Sequence, residues 1–115
     1  MYEYKAIVTK VYDGDTITVD IQLGFGVFLN DQKLRLSYID TPEVRGEERN
    51  EGLIARDRVR ELILGKKVVI KTYRDSKEKY GRWLAEVYYK ETPDSEYTVN
   101  LNQQLLNEGL ATKYE

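Results

Sequence analysis

The segment TITVDIQL (16–23) alternates without a break, with Ile17, Val19, Ile21 and Leu23 on one side and Thr16, Thr18, Asp20 and Gln22 on the other. A period of two sustained over this length specifies a half-buried β-strand. It follows YKAIVTKVY (4–12), rich in β-formers, across Asp13-Gly14, a strong two-residue hairpin signal. The stretch GFGVFLNDQ (24–32) carries Gly24 and Gly26 and reads as a loop or a bent strand extension. A third strand is expected over 33–39, with Leu34, Leu36 and Tyr38 on one face and Lys33, Arg35 and Ser37 on the other. Thr41-Pro42 ends it, because proline cannot continue the hydrogen-bond ladder.

A helix is expected from about Glu48 to Leu64, with Leu53, Ala55, Val59, Leu62 and Ile63 as its apolar stripe and Gly65 as its stop. Residues 67–73 and 82–89 read as fourth and fifth strands separated by the charged turn DSKEKYG, and 94–98 as a short hairpin return. A last short helix near Asn100 to Glu108 carries Leu101, Leu105 and Leu106 and ends at Gly109. This order suits a mainly β chain with α elements: a five-stranded Greek-key barrel, one long helix between strands 3 and 4, and a short C-terminal helix. With 115 residues and no internal repeat or linker, one domain over 1–115 is expected.

Two absences narrow the chemistry. There is no Cys, hence no disulfide, thiolate nucleophile or zinc-thiolate site. There is no His, which removes imidazole bases and His-ligated metals. Catalysis would fall to carboxylates, Arg, Lys, Tyr and a hard, oxygen-ligated cation, Ca²⁺ or Mg²⁺. No run is long and apolar enough to span a bilayer, and MYEYKAIVTK lacks the apolar stretch of a secretory signal. The expected location is therefore cytoplasmic, or secreted if a signal peptide has been removed. Net charge is −2, yet segment 65–90 holds eight cations (Lys66, Lys67, Lys71, Arg74, Lys77, Lys79, Arg82, Lys90) against Asp75, Glu78 and Glu86. Local fields rather than net charge steer a charged substrate, although such a run is equally readable as a solvated face of mixed charge. Most of the ten Tyr and the single Trp83 are expected in the core or at its rim.

Three short strings place charged groups at strand ends and turns: DGDT (13–16), RLSYIDTPE (35–43) and KYGR (79–82). Each has a plain structural reading. A DG turn followed by Asp is ordinary turn chemistry. Asp40 to Glu43 could be a helix entry, KYGR a β-turn, and Arg35 an exposed cross-strand charge. Together they form a set suited to phosphodiesters. Converging carboxylates can hold a hard cation, a third can accept a proton from water, and two arginines can clamp phosphate oxygens.

In this order, these three strings resemble the staphylococcal nuclease (thermonuclease) family, and the similarity runs from about Ile7 to Ala111, including NLNQQLLNEGLA. The resemblance implies an OB-fold and a calcium-dependent, largely sequence-nonspecific nuclease. Such an enzyme prefers single-stranded DNA and RNA and leaves 3′-phosphate ends. It implies that Asp15 and Asp40 are calcium ligands, with the Thr41 backbone carbonyl and waters completing the set and Mg²⁺ as the alternative ion. Glu43 matches the residue assigned to the attacking water, and Arg35 and Arg82 match the phosphate-binding arginines. Lys79 and Tyr80 match groups near the nucleotide's terminal phosphate. Tyr114 is the candidate for a tyrosine that stacks on the base. A pI near 5.3 departs from the basic character of the best-known member, so binding to polyanions should be weaker and strongly salt-dependent. The chain is expected to act as a monomer. The competing reading is a non-catalytic OB-fold module that binds nucleic acid or protein; such modules typically lose the acids and arginines retained here.

Overall fold

In the computed structural model, which describes residues 2–74 and 83–114, the alternating segment is β2 (Thr16–Gly24), paired antiparallel with β1 (Tyr2–Asp13). Ile17, Val19 and Ile21 are buried as the alternation requires, whereas Leu23 keeps their parity but is exposed, because the β2–β3 hairpin projects past the core. The turn after β2 is confined to Phe25 and Gly26, and β3 (Val27–Leu36) starts directly behind it, so of the two readings of 24–32 the strand extension holds and the loop does not.

The expected strand over 33–39 is also interrupted. β3 stops at Leu36, Ser37 and Tyr38 form a turn with Tyr38 at φ 52°, and a short β4 (Ile39–Asp40) follows. The turn reverses the parity of the side chains: Ser37 is buried and Tyr38 is exposed. Its cause lies on other strands. Leu36 N–H donates to the Asp15 carbonyl at 2.8 Å, and Ser37 N–H to the Ala85 carbonyl at 2.9 Å.

A single 3₁₀ turn at Gly46–Glu48 leads into α1 (Arg49–Ile63). β5 (Lys67–Arg74), β6 (Trp83–Lys90) and β7 (Tyr97–Asn100) follow, then α2 (Leu101–Asn107) and β8 (Thr112–Lys113). The sheet order is β3-β2-β1-β5-β6-β7, and a parallel β3–β6 pairing closes the first five into a mixed barrel, as in an OB-fold. The hairpin return lies at 97–100 rather than 94–98, because Thr92 and Ser95 form a hydrogen-bonded turn. Outside the barrel, β8 pairs with β4, Asp40 opposite Thr112. Among the described residues no helix is long and apolar enough to cross a membrane.

The core is aliphatic: Ile17, Leu34, Leu36 and Ile70 from the barrel, Val59 and Ile63 from α1, and Leu101 and Leu105 from α2. On α1 the buried set is Gly52, Ala55, Val59 and Ile63, spaced for one helix face, while Leu53 and Leu62 sit at its margin. Trp83 is not core. It shares parity with Ala85 and Val87 but is 38% exposed at the first position of β6, with the Arg74 guanidinium 5.9 Å from its ring.

Among the described residues one polar side chain is wholly buried in this apolar setting. Asn102 donates through Nδ2 to the Ser37 carbonyl (3.0 Å) and the Ala85 carbonyl (3.1 Å), and its Oδ1 accepts from Val87 N–H (3.2 Å). It thereby ties α2 to the turn between β3 and β4. Asn102→Ala should cost about 2 kcal/mol, because buried backbone groups lose their partners; urea unfolding measures it, and an unchanged midpoint would exclude this role.

At the far end of α2, Glu108 accepts two 2.8 Å hydrogen bonds from Arg58 of α1. Those bonds and one from Gln104 hold its carboxyl down at about 2. A depressed folded-state pKa stabilises above the unfolded value of 4.5 and loses that contribution as pH falls toward 2. The pair is solvent-accessible, so its worth is on the order of 1 kcal/mol. Glu108→Gln should flatten the stability profile between those two pH values, leaving the pH 7 midpoint only slightly lower.

Candidate active site

The β1–β2 turn buries Asp13, Gly14 and Asp15 together. Asp15 N–H donates to Asp13 Oδ1 at 3.0 Å, which fixes the turn and presents Asp15 to Thr41, the residue after β4. Asp15 Oδ1 accepts from the Thr16 hydroxyl (3.1 Å), and Oδ2 accepts from the Thr41 backbone N–H (3.2 Å). Gly14 is required by this approach: a Cβ there would lie 2.7 Å from Thr41 Cγ2 and 2.9 Å from Thr41 Oγ1.

Arg35 leaves β3 on the face opposite Leu34 and Leu36 and reaches the same place. Its Nη1 donates to the carbonyls of Leu36 (3.2 Å) and Ile39 (3.0 Å), which fixes the guanidinium plane. Its Nη2 stands between two carboxylates, 3.4 Å from Asp40 Oδ1 and 3.7 Å from Asp15 Oδ2. The side chain of Asp15 is 11% exposed and that of Asp40 55%, so the pair has an inner and an outer member. The ring of Tyr114 covers Arg35, its centroid 4.9 Å from the guanidinium carbon. Tyr114 N–H donates to the Tyr38 carbonyl at 2.9 Å, extending the β4–β8 pairing.

The electrostatics follow from this crowding. Burial pushes Asp13 up to about 7, and hydrogen bonding and charge from Asp15 act in the same direction. Asp40 is raised by partial burial and by the charge of Asp15, against the pull of Arg35. Burial is the larger cause for both carboxylates, and the neighbouring Asp15 charge adds to it.

Of the residues singled out in the sequence, Asp15, Arg35, Asp40, Thr41 and Tyr114 come together. Glu43 is close in sequence and exposed, and its side chain enters no hydrogen bond or ion pair among the described residues. Its backbone is seated on α1 at Gly52, where an added Cβ would collide with the Glu43 carbonyl. Lys79, Tyr80 and Arg82 lie outside the described residues. Of the basic segment 65–90, Lys71, Arg74 and Lys90 each lie over an aromatic ring of β6 or β7. Asp13, Gly52 and Asn102 are the positioning residues that motif reading passes over. Only Asp13 carried a signal, as the first acid of DGDT.

The donors fit a hard cation. Asp15, Asp40 and Thr41 offer oxygen only, the mixture of carboxylate and carbonyl that Ca²⁺ accepts, with water filling the remainder. The Thr41 hydroxyl is buried without a hydrogen-bond partner among the described residues. The described residues contain no group of three or more acids placed to chelate a metal, so a cation here would depend on the Asp15–Asp40 pair.

The pattern of the staphylococcal nuclease homologue family matches residues 33–115. Endonuclease YhcR of Bacillus subtilis is 30% identical over 121 residues, which cover 97% of this chain and 9% of that protein. An uncharacterized endonuclease of Haemophilus influenzae is 30% identical over 108 residues, 94% of this chain and 51% of the other. The chain thus spans about half, or far less, of the length of these curated relatives. A family match over most of its length, with Asp40, Thr41 and Arg35 inside the matched region and gathered at one barrel end, makes this chain a member of the staphylococcal nuclease homologue family.

Proposed function

We propose that the chain is a calcium-dependent nuclease that hydrolyses phosphodiesters of single-stranded DNA and RNA with little sequence preference and leaves 3′-phosphate ends. The observation that carries this reading is Arg35, held in plane by two carbonyls while its Nη2 stands between Asp15 and Asp40. A planar donor fork beside an all-oxygen carboxylate pair is chemically complementary to a phosphate bridged to a hard cation.

In this reading Asp15, Asp40 and the Thr41 carbonyl hold Ca²⁺, or Mg²⁺ in its place. When bound, the ion neutralises a phosphate oxygen and helps position water. Glu43 accepts a proton from the attacking water, whose oxygen bonds to phosphorus while the bond to the 5′ oxygen breaks. The departing oxygen takes up a proton, giving a 5′-hydroxyl and a 3′-phosphate. Arg35 and Arg82 stabilise the extra charge of the pentacovalent state. Lys79 and Tyr80 contact the terminal phosphate, and Tyr114 presents its exposed ring to a base.

The test is cleavage of single-stranded DNA and RNA in Ca²⁺, Mg²⁺ and chelator, beside Glu43→Gln and Arg82→Ala. Cleavage should require the cation and fall at least about 100-fold in each variant. A folded protein without cation-dependent cleavage returns the chain to the non-catalytic OB-fold reading, and cleavage that survives both substitutions overturns the roles given to Glu43 and Arg82.

A further inference from the structure

A second concave surface lies beside this site. A groove of about 1160 Å³ opens between the outer face of β1–β2–β3 and the second half of α1. Its walls carry four cations, Lys10, Lys33, Arg56 and Arg60, and one anion, Asp31. On a chain of net charge −2, that is a local reversal of sign.

The two lysines line up across the sheet. Lys10 is paired with Thr18 and Thr18 with Lys33, so the two lysines flank one position of β2 across three adjacent strands. Lys33 and Arg35 share a face of β3 two residues apart, about 6.8 Å along the strand. The groove also meets the site at two further points. Thr16 lines it and donates to Asp15, and Val44, next to Glu43, forms part of its wall. Tyr12, 58% exposed, adds an aromatic face.

The α1 arginines are partly committed: Arg56 pairs with Asp57 at 2.9 Å, and Arg60 donates to the Val11 carbonyl at 3.0 Å. Lys10 and Lys33 enter no ion pair among the described residues. A cationic track with an exposed ring, running away from a phosphate-binding arginine, has the composition of a single-strand binding path.

We propose that this groove binds a stretch of single-stranded polynucleotide flanking the phosphate at Arg35, with Lys10 and Lys33 contacting successive backbone phosphates and Tyr12 stacking on a base. The assignment rests on the nuclease reading for its substrate class and extends it to a longer substrate. The groove would make recognition length-dependent, and it reconciles an acidic protein with a polyanionic ligand.

The experiment is binding rather than turnover. Fluorescence anisotropy in chelator would compare labelled oligothymidines of about 15 nucleotides, within the site sizes of single OB-folds, with a labelled dinucleotide. The proteins are wild type, Lys10→Ala/Lys33→Ala, Lys33→Glu, and Lys5→Ala as a remote control. The double variant should bind the long strand about 10-fold more weakly, with a salt slope shallower by about 1.4. Lys33→Glu should lose more, and dinucleotide affinity and the Lys5→Ala variant should match wild type. Equal loss for both ligands, or no loss for either, would overturn the groove. Binding is read without cleavage, so a groove that passes in a protein that cuts nothing would remove only the nuclease reading.

Discussion

Arg35→Ala is expected to lower cation-dependent cleavage by roughly 10²–10³-fold, the range for removing one donor that stabilises transition-state charge. It should not weaken cation binding. Among the described residues the guanidinium is the positive charge nearest both carboxylates, at 3.7 Å from Asp15 and 3.4 Å from Asp40. Removing it leaves the pair more negative, so a divalent ion should bind with equal or greater affinity. A merely structural arginine predicts a different pattern, in which the Leu36 and Ile39 carbonyls lose their donor, the turn loosens, and affinity and activity fall together. Calcium titration calorimetry beside cleavage separates the two. A further readout is proton affinity in the cation-free protein. Arg35 lowers the pKa of Asp40 against burial and Asp15, so the variant's Asp40 should titrate at higher pH. Cleavage within a few-fold of wild type would sink the role.

What the sequence made legible is what local rules decide. The alternation of Ile17, Val19 and Ile21 determined the faces of β2, and Asp13-Gly14 marked a hairpin whose two turn residues lie one position on, at Gly14 and Asp15, because period and turn chemistry act over a few residues. The parity of β3 put Arg35 opposite Leu34 and Leu36, which holds up to Leu36. It fails at Ser37 because the deciding partners, Ala85 and Asn102, are 48 and 65 residues away. A two-residue β8 is invisible for the same reason: Thr112 and Lys113 are a strand only because Asp40 and Ile39 lie opposite. Trp83 and Leu23 show the converse limit. Parity names a face, but at the end of a strand no core remains on that face to bury a side chain. In the site, the charged residues were readable by type and order. Their supports were not, since Gly14 and Gly52 matter for what a side chain would strike rather than for any chemistry of their own.

That makes Gly52→Ala the sharper test of how the site is held. In an exposed helix the change would help, since alanine is better than glycine by about 1 kcal/mol. Here the helix face at Gly52 is buried under the loop after Asp40, and a Cβ would fall on the Glu43 carbonyl and 2.9 Å from the Pro42 carbonyl. Backbone atoms cannot rotate aside, so either the helix or the loop must shift. Overpacking of this kind costs about 1–3 kcal/mol, enough to cancel the propensity gain and leave the variant less stable. The loop that must yield carries Glu43 and is anchored at Thr41, whose N–H binds Asp15. A displacement near 1 Å at a reacting group can cost roughly 10²-fold in rate. Cleavage should therefore fall by about that factor while the barrel remains folded, and the neighbouring exposed Glu51→Ala should change neither quantity appreciably. Urea unfolding and cleavage measured on the same preparations decide it. A Gly52→Ala protein that gains stability and keeps its activity would show that Glu43 does not depend on this seat, and that the loop reaches its working position by another contact.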